Sequence, residues 1–176
     1  GDESIVYHFA WPLGSNQFYV NTDYGGYIFD LNTTKVYGKE TLPPILAEYR
    51  PMCRTYGNKE FLWVYKNGCI VQYNKALKEV FRYCLPPNIT KLFPDYFWFE
   101  IIQNKVFYIG NLNGDFLELD MLSGKYRLAK FSGGVSLKNV ISIKKDLLLE
   151  CDFNGLHWIH LDKDSIWWEP ADFHQE

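Results

Sequence analysis

Two glutamates stand inside apolar runs of this 176-residue chain: Glu100 in Trp98-Phe99-Glu100-Ile101-Ile102, and Glu150 in Leu148-Leu149-Glu150-Cys151. A carboxylate in such surroundings is costly unless it is paired or faces a water-filled channel, and active sites recruit groups in this position as acids or bases. Two carboxylates facing each other across a cleft, roughly 5 to 10 Å apart, would suit glycoside hydrolysis. Glu100 and Glu150 are therefore the candidate catalytic residues, and exposure at strand edges is the bland alternative. The chain has no GxSxG, no Walker-type loop and no dinucleotide fingerprint, so nucleophilic, phosphoryl and hydride chemistries lack their usual marks. His157 and His160 are spaced i, i+3, which on a strand points them to opposite faces, so no metal site is expected. No cofactor is expected either.

A second set of residues suits binding. Asp23, Tyr24, Asn111 and Asp152 fall in equivalent hairpin loops, and Trp11 and Trp98 are placed in or beside loops where an aromatic ring can serve as a stacking platform. His8, near Trp11, is a further polar group whose role is packing or binding. Asn67, Asn113 and Asn154 share those loops, but turn geometry alone accounts for an Asn placed before a Gly.

The elements that position these residues repeat. Gly25-Gly26, Asn67-Gly68, Asn113-Gly114 and Asn154-Gly155 are dipeptides suited to type I′ hairpin turns, and their second glycines recur at steps of 42, 46 and 41 residues. An apolar run precedes each dipeptide. A second follows it and ends in a short polar residue, Asn32, Asn74, Asp120 or Asp162, which opens another tight turn. A third strand is then expected in 35–37, 79–83, 125–128 and 165–168, and a fainter one precedes each hairpin in 5–9, 53–56, 97–102 and 140–143. Runs such as Phe61-Leu62-Trp63-Val64-Tyr65 are apolar on both faces, as in a sheet sandwiched between neighbours. Four four-stranded antiparallel units, at about 5–42, 52–85, 97–131 and 140–170, predict one all-β, β-propeller-type domain over residues 1–176. It is either a four-bladed ring or part of a larger propeller; a cut ring would expose sheet faces and self-associate.

The third unit, Tyr108-Ile109-Gly110-Asn111-Leu112-Asn113-Gly114-Asp115-Phe116-Leu117-Glu118-Leu119-Asp120-Met121-Leu122-Ser123-Gly124-Lys125, resembles the generic blade of quinoprotein-like bacterial propellers. In that pattern a small-residue turn leads to an apolar strand, then Leu-Asp, then Gly-Lys. The resemblance implies the fold and not quinone chemistry, because the adjacent cysteine pair and the calcium ligands of those enzymes are missing. The WD40 signatures are also absent.

Composition narrows the partners. A formal charge of -3 with 18 basic residues lacks the basic excess that nucleic acid demands. No apolar run approaches the roughly 20 residues of a membrane span, so no membrane insertion is expected. Cys53, Cys69, Cys84 and Cys151 form no CxxC pair; the default reading is a small buried hydrophobe at each, with a Cys69 to Cys84 disulfide as the alternative. The sequons at Asn32 and Asn88 tilt the compartment slightly towards extracellular or periplasmic over cytoplasmic. The favoured function is a noncatalytic module that presents blade loops to a protein or carbohydrate ligand. A glycan hydrolase and a scaffold or sensor segment that associates through exposed blade faces are the alternatives.

Overall fold

The computed structural model describes residues 7–48, 54–94, 98–135, 137, 139–152 and 155–171; the side chains of Tyr7, Arg54, Thr55 and Asp152 lie outside that description. The protein is all-β and β-propeller-type, with four four-stranded antiparallel sheets that each run as a simple meander. Blade 1 contains β1 (Tyr7–Gly14), β2 (Gln17–Thr22), β3 (Gly25–Asp30) and β4 (Lys35–Tyr37). After α1 (Pro44–Ala47), blade 2 contains β5 (Arg54–Gly57), β6 (Leu62–Lys66), β7 (Cys69–Tyr73) and β8 (Glu79–Cys84). After α2 (Pro87–Thr90), blade 3 contains β9 (Phe99–Ile102), β10 (Val106–Gly110), β11 (Asp115–Asp120) and β12 (Tyr126–Lys130). Blade 4 contains β13 (Val140–Lys144), β14 (Leu147–Asp152), β15 (Gly155–Leu161) and β16 (Ile166–Pro170). Both helices are single turns opened by proline, whose fixed φ suits a first helical position. The chain divides into two compact units, Gly1–Tyr96 and Phe97–Glu176.

Each unit is held by packing one sheet face on another. In the first, Trp11 and Tyr19 of blade 1 meet Leu62, Val64, Val71 and Tyr73 of blade 2, with Leu42 and Leu46 of the connection filling the seam. In the second, Tyr108 and Phe116 of blade 3 meet Leu148, Ile159 and Leu161 of blade 4, with Phe131, Val135 and Leu137 of their connection between. Burying side chains of this size contributes about 1.5 to 3 kcal/mol each. Central strands are therefore apolar on both faces, as in the burial of Leu62, Trp63, Val64 and Tyr65 at successive positions.

The hairpin turns correct the dipeptide reading in three of four places. Asn67-Gly68 does form the two-residue turn, with φ of 51° and 75°. In blade 1, however, Thr22 pairs with Gly25 and Asn21 with Gly26, which makes Asp23-Tyr24 the turn. The two glycines are instead required because the connection to blade 2 crosses directly over them. A Cβ on Gly26 would sit 1.8 Å from the Leu46 carbonyl oxygen. In blade 3, residues 111–114 form a longer loop closed by Gly114 N–H donating to the Asn111 carbonyl at 3.0 Å, with Gly114 at φ 84°. In blade 4, Gly155 opens β15 and pairs with Asp152, so it is a strand residue and not a turn centre; Phe153 and Asn154 lie outside the described residues.

The second turn of each blade follows expectation in blades 2 and 3, where Asn74 and Asp120 accept backbone N–H groups from the residues that follow. In blade 1 that role falls to Asp30 and not Asn32, with Oδ1 accepting from the Asn32 and Thr33 amides. The Gln17 amide first, and these backbone bonds after it, hold the Asp30 carboxyl below its ordinary value.

The default reading of the cysteines is overturned. Cys69 and Cys84 face each other across β7 and β8 and are bonded, Cys151 is exposed and unbonded, and Cys53 lies outside the described residues. Changing both Cys69 and Cys84 to Ala should cost about 3 kcal/mol, the denatured-chain constraint of a 15-residue loop. An unchanged unfolding midpoint with and without reductant would show that the bridge contributes nothing. Asn111→Ala should cost about 2 kcal/mol, because it strips acceptor and donor from a buried loop, and chemical denaturation measures it.

Candidate functional site

The outer face of blade 1 carries a concave site. Strand alternation puts Phe9, Trp11, Leu13 and Tyr19 against blade 2, which leaves Ala10, Phe18, Val20, Tyr27, Phe29 and Val36 on the opposite face. Register aligns them in two cross-strand rows, Ala10–Val20–Tyr27 and Phe18–Phe29–Val36. These rows, with Thr22 and Tyr24, line a hollow of about 590 Å³.

Its rim is polar and well held. Thr22 Oγ1 donates to the Gly25 carbonyl at 3.0 Å and accepts the Tyr24 amide at 3.1 Å, which fixes the Asp23-Tyr24 turn. The Asp23 carboxylate bonds His8 Nε2. Lys39 Nζ donates to the Tyr24 carbonyl at 2.9 Å and lies 5.5 Å from the centre of the Tyr27 ring. Tyr24 itself is 52% exposed. Two predicted residues, Asp23 and Tyr24, thus come together with His8, beside aromatic rings that the hairpin pattern alone did not single out. An apolar floor with a few fixed polar groups at its edge is the usual make-up of a small-ligand site.

The other predicted residues do not join this cluster. Trp11 is no loop platform: β1 continues to Gly14, the ring is 2% exposed, and its indole N–H donates to the Asn58 carbonyl at 2.6 Å. Trp98 is half-buried just before β9. Asn111 is buried and committed to its own loop, with Oδ1 accepting the Asn113 and Asp115 amides and Nδ2 donating to Asp115, all at 2.9 Å. Burial pushes the Asp115 carboxyl up, but the Asn111 amide and Lys130 outweigh it and hold it below its ordinary value. The Asp152 side chain lies outside the described residues.

Glu100 lies on β9, the edge strand of blade 3, whereas Glu150 lies on the central strand β14. Glu150 is 0% exposed and points into the blade 3–blade 4 seam, where its Oε2 lies 3.5 Å from His157 Nδ1. Trp168 stacks on His157 at 4.5 Å and on Phe131 at 5.4 Å, and Phe131 continues to Phe116 and Tyr108. This file of rings shields the pair from solvent. Glu100 is half-buried opposite Tyr108, with Oε1 accepting the Ile101 amide at 3.1 Å.

A second concavity is not visible in the residue order because three strands of blade 3 and three separate turns contribute to it. A cleft of about 740 Å³ in the second unit is lined by Lys105, Tyr108, Glu118, Asp120, Lys125, Tyr126, Arg127 and Lys145, among others. Glu118 pairs with Arg127 and accepts from the Tyr108 hydroxyl; burial first, and Glu118 second, push the Tyr108 phenol far above its ordinary value. The spacing of Glu118 and Arg127 was readable only once their strands were known to pair.

No protein-family model matches the chain, and no curated protein matches it in sequence. Among solved structures, it is similar to the extracellular domain of a hybrid two-component system from B. thetaiotaomicron, with 14% identity and a TM-score of 0.59 over 91% of this chain and 24% of that one. The extracellular domain of a one-component system from the same organism matches with 13% identity and a TM-score of 0.53, over 94% and 23% respectively. A computationally designed protein, Ika8, matches with 13% identity and a TM-score of 0.51, over 93% and 47%. The chain spans about a quarter of the length of the two bacterial domains, and likeness at this level supports the fold alone.

Proposed function

We propose that this chain is a noncatalytic binding module, and that the hollow on blade 1 takes a ligand with an apolar face and a hydrogen-bonding edge, as a sugar ring has. The observation that carries this reading is the juxtaposition of Tyr24, Tyr27, Phe18 and Phe29 with the His8–Asp23 pair. The rings offer flat surface for the C–H face of a sugar, and the carboxylate and imidazole offer an acceptor and a second polar partner for its hydroxyls. Placement outside the cytoplasm fits the Cys69–Cys84 bridge, since disulfides persist in oxidising compartments. The extracellular signalling domains that share the fold support the same reading.

The burial of Glu150 argues against the hydrolase alternative, because an acid or base has to reach the glycosidic oxygen. Tyr24→Ala and Asp23→Ala should each weaken binding of the best ligand in a neutral oligosaccharide panel by about tenfold, as titration calorimetry reads it. The double variant Glu100→Gln/Glu150→Gln should bind within about twofold of the parent. Release of reducing ends by the parent and not by that double variant would establish the hydrolase instead.

One observation favours a second reading, association through blade faces. The outer face of blade 4 leaves Ile141, Ile143 and Trp167 exposed by 60%, 49% and 41%, while the reverse face of the same sheet packs on blade 3. Another four-stranded blade with an apolar face is the partner that would repeat that packing, since sheets sandwiched on both sides are the rule in this architecture. Light scattering should then show concentration-dependent growth that Ile143→Lys abolishes. A chain that stays monomeric at high concentration would eliminate this reading.

A further inference from the structure

The cleft in the second unit is positively charged in a chain of net negative charge, and its charge is not an accident of counting. Of its lining residues four are cationic, Lys105, Lys125, Arg127 and Lys145, and two are acidic, Glu118 and Asp120. Both acids are already engaged. Glu118 accepts from Arg127 and from Tyr108. Asp120 accepts the Ser123 and Leu122 amides, and with Lys105 nearby those bonds hold its carboxyl below the ordinary value, so it stays ionised without spending a lysine hydrogen bond. Arg127 is equally committed, because its guanidinium also donates to the Asp162 carbonyl.

That leaves three lysines on the cleft wall whose ammonium groups make no hydrogen bond or ion pair among the described residues. They come from the β9–β10, β11–β12 and β13–β14 turns, so three separate stretches of chain bring a cation each to one cleft. Tyr126, 40% exposed, supplies an aromatic face in the same cleft.

We infer that this cleft binds an oligosaccharide carrying repeated negative charges, uronate or sulfate, whose anionic groups meet Lys105, Lys125 and Lys145 while a ring lies on Tyr126. A single-stranded nucleic acid would ask for a ring beneath each of several successive bases, whereas the exposed ring lining this cleft is Tyr126. The inference rests on the binding-module reading and adds to it a second subsite with a different ligand charge.

Calorimetric titration of the whole chain with trigalacturonate, with a sulfated oligosaccharide of similar length and with a neutral trisaccharide tests it. Trigalacturonate, the sulfated ligand or both should bind, and the affinity should fall about tenfold between about 50 and 300 mM NaCl. The triple variant Lys105→Gln/Lys125→Gln/Lys145→Gln should lose about tenfold with an unchanged unfolding midpoint, and Tyr24→Ala should leave this binding intact. Failure of both anionic ligands to bind, or binding indifferent to the triple variant or to salt, overturns the inference. If both anionic ligands fail while the neutral ligand binds through Tyr24, the binding module stands and the cleft assignment falls. Lysine-dependent binding of a single-stranded oligonucleotide as tight as that of the glycans would also overturn it.

Discussion

The close approach of a connecting segment to a hairpin glycine is the constraint on which the blade packing depends. Leaving blade 1, the chain brings the Leu46 carbonyl to within 1.8 Å of where a Gly26 Cβ would sit, and Tyr19 donates its hydroxyl to that same carbonyl at 2.9 Å. Leaving blade 3, it brings the Phe131 carbonyl to 2.4 Å from the corresponding position on Gly114, and the Phe131 amide donates to the Gly114 carbonyl at 2.8 Å. A side chain at either glycine would lift the connection off the sheet. The apolar residues the connections carry into the seams, Leu46 in one and Phe131 in the other, would then lose the faces they fill.

Packing sheets face to face leaves little room for polar groups, and those that remain are held tightly. Glu150 and His157 lie opposite each other in the register of β14 and β15, behind Trp168. A buried carboxylate facing an imidazole is weak evidence of stability, since desolvation opposes their attraction, but removing one partner would strand the other. The same economy appears at Asn111, which looked available for a ligand and is consumed in closing its loop. Polar side chains become available to other molecules where seams and turns do not claim them. Among the described residues, Tyr24 at the blade 1 rim and Lys105, Lys125 and Lys145 of the second unit are left exposed in this way.

These two places differ in physical character in ways that follow from their construction. The hollow of blade 1 is a sheet face, so alternation fills it with rings and aliphatic groups and confines polarity to the turn that edges it. The cleft of the second unit is edged by turns, which carry charge because they meet water. A module with one site of each kind would read a ligand by shape at the first and by charge at the second.

The repeat is legible in the order of residues alone. The recurrence of turn dipeptides at steps of 41 to 46 residues, each between two apolar runs, specifies four meandering sheets because strand propensity and turn chemistry are local. It also placed Asp23 and Tyr24 in a loop, although for the wrong turn, since Gly25-Gly26 carries the signature of a type I′ turn whether the glycines bend the chain or admit a neighbour. The rest depended on contacts that form when distant segments pack. Whether Glu150 met water, whether Trp11 lay in a loop or a seam, and whether Cys69 had Cys84 as its partner depended on which faces and strands came together. Burial and pairing are properties of surfaces brought into contact across distant positions, and no local pattern carries them.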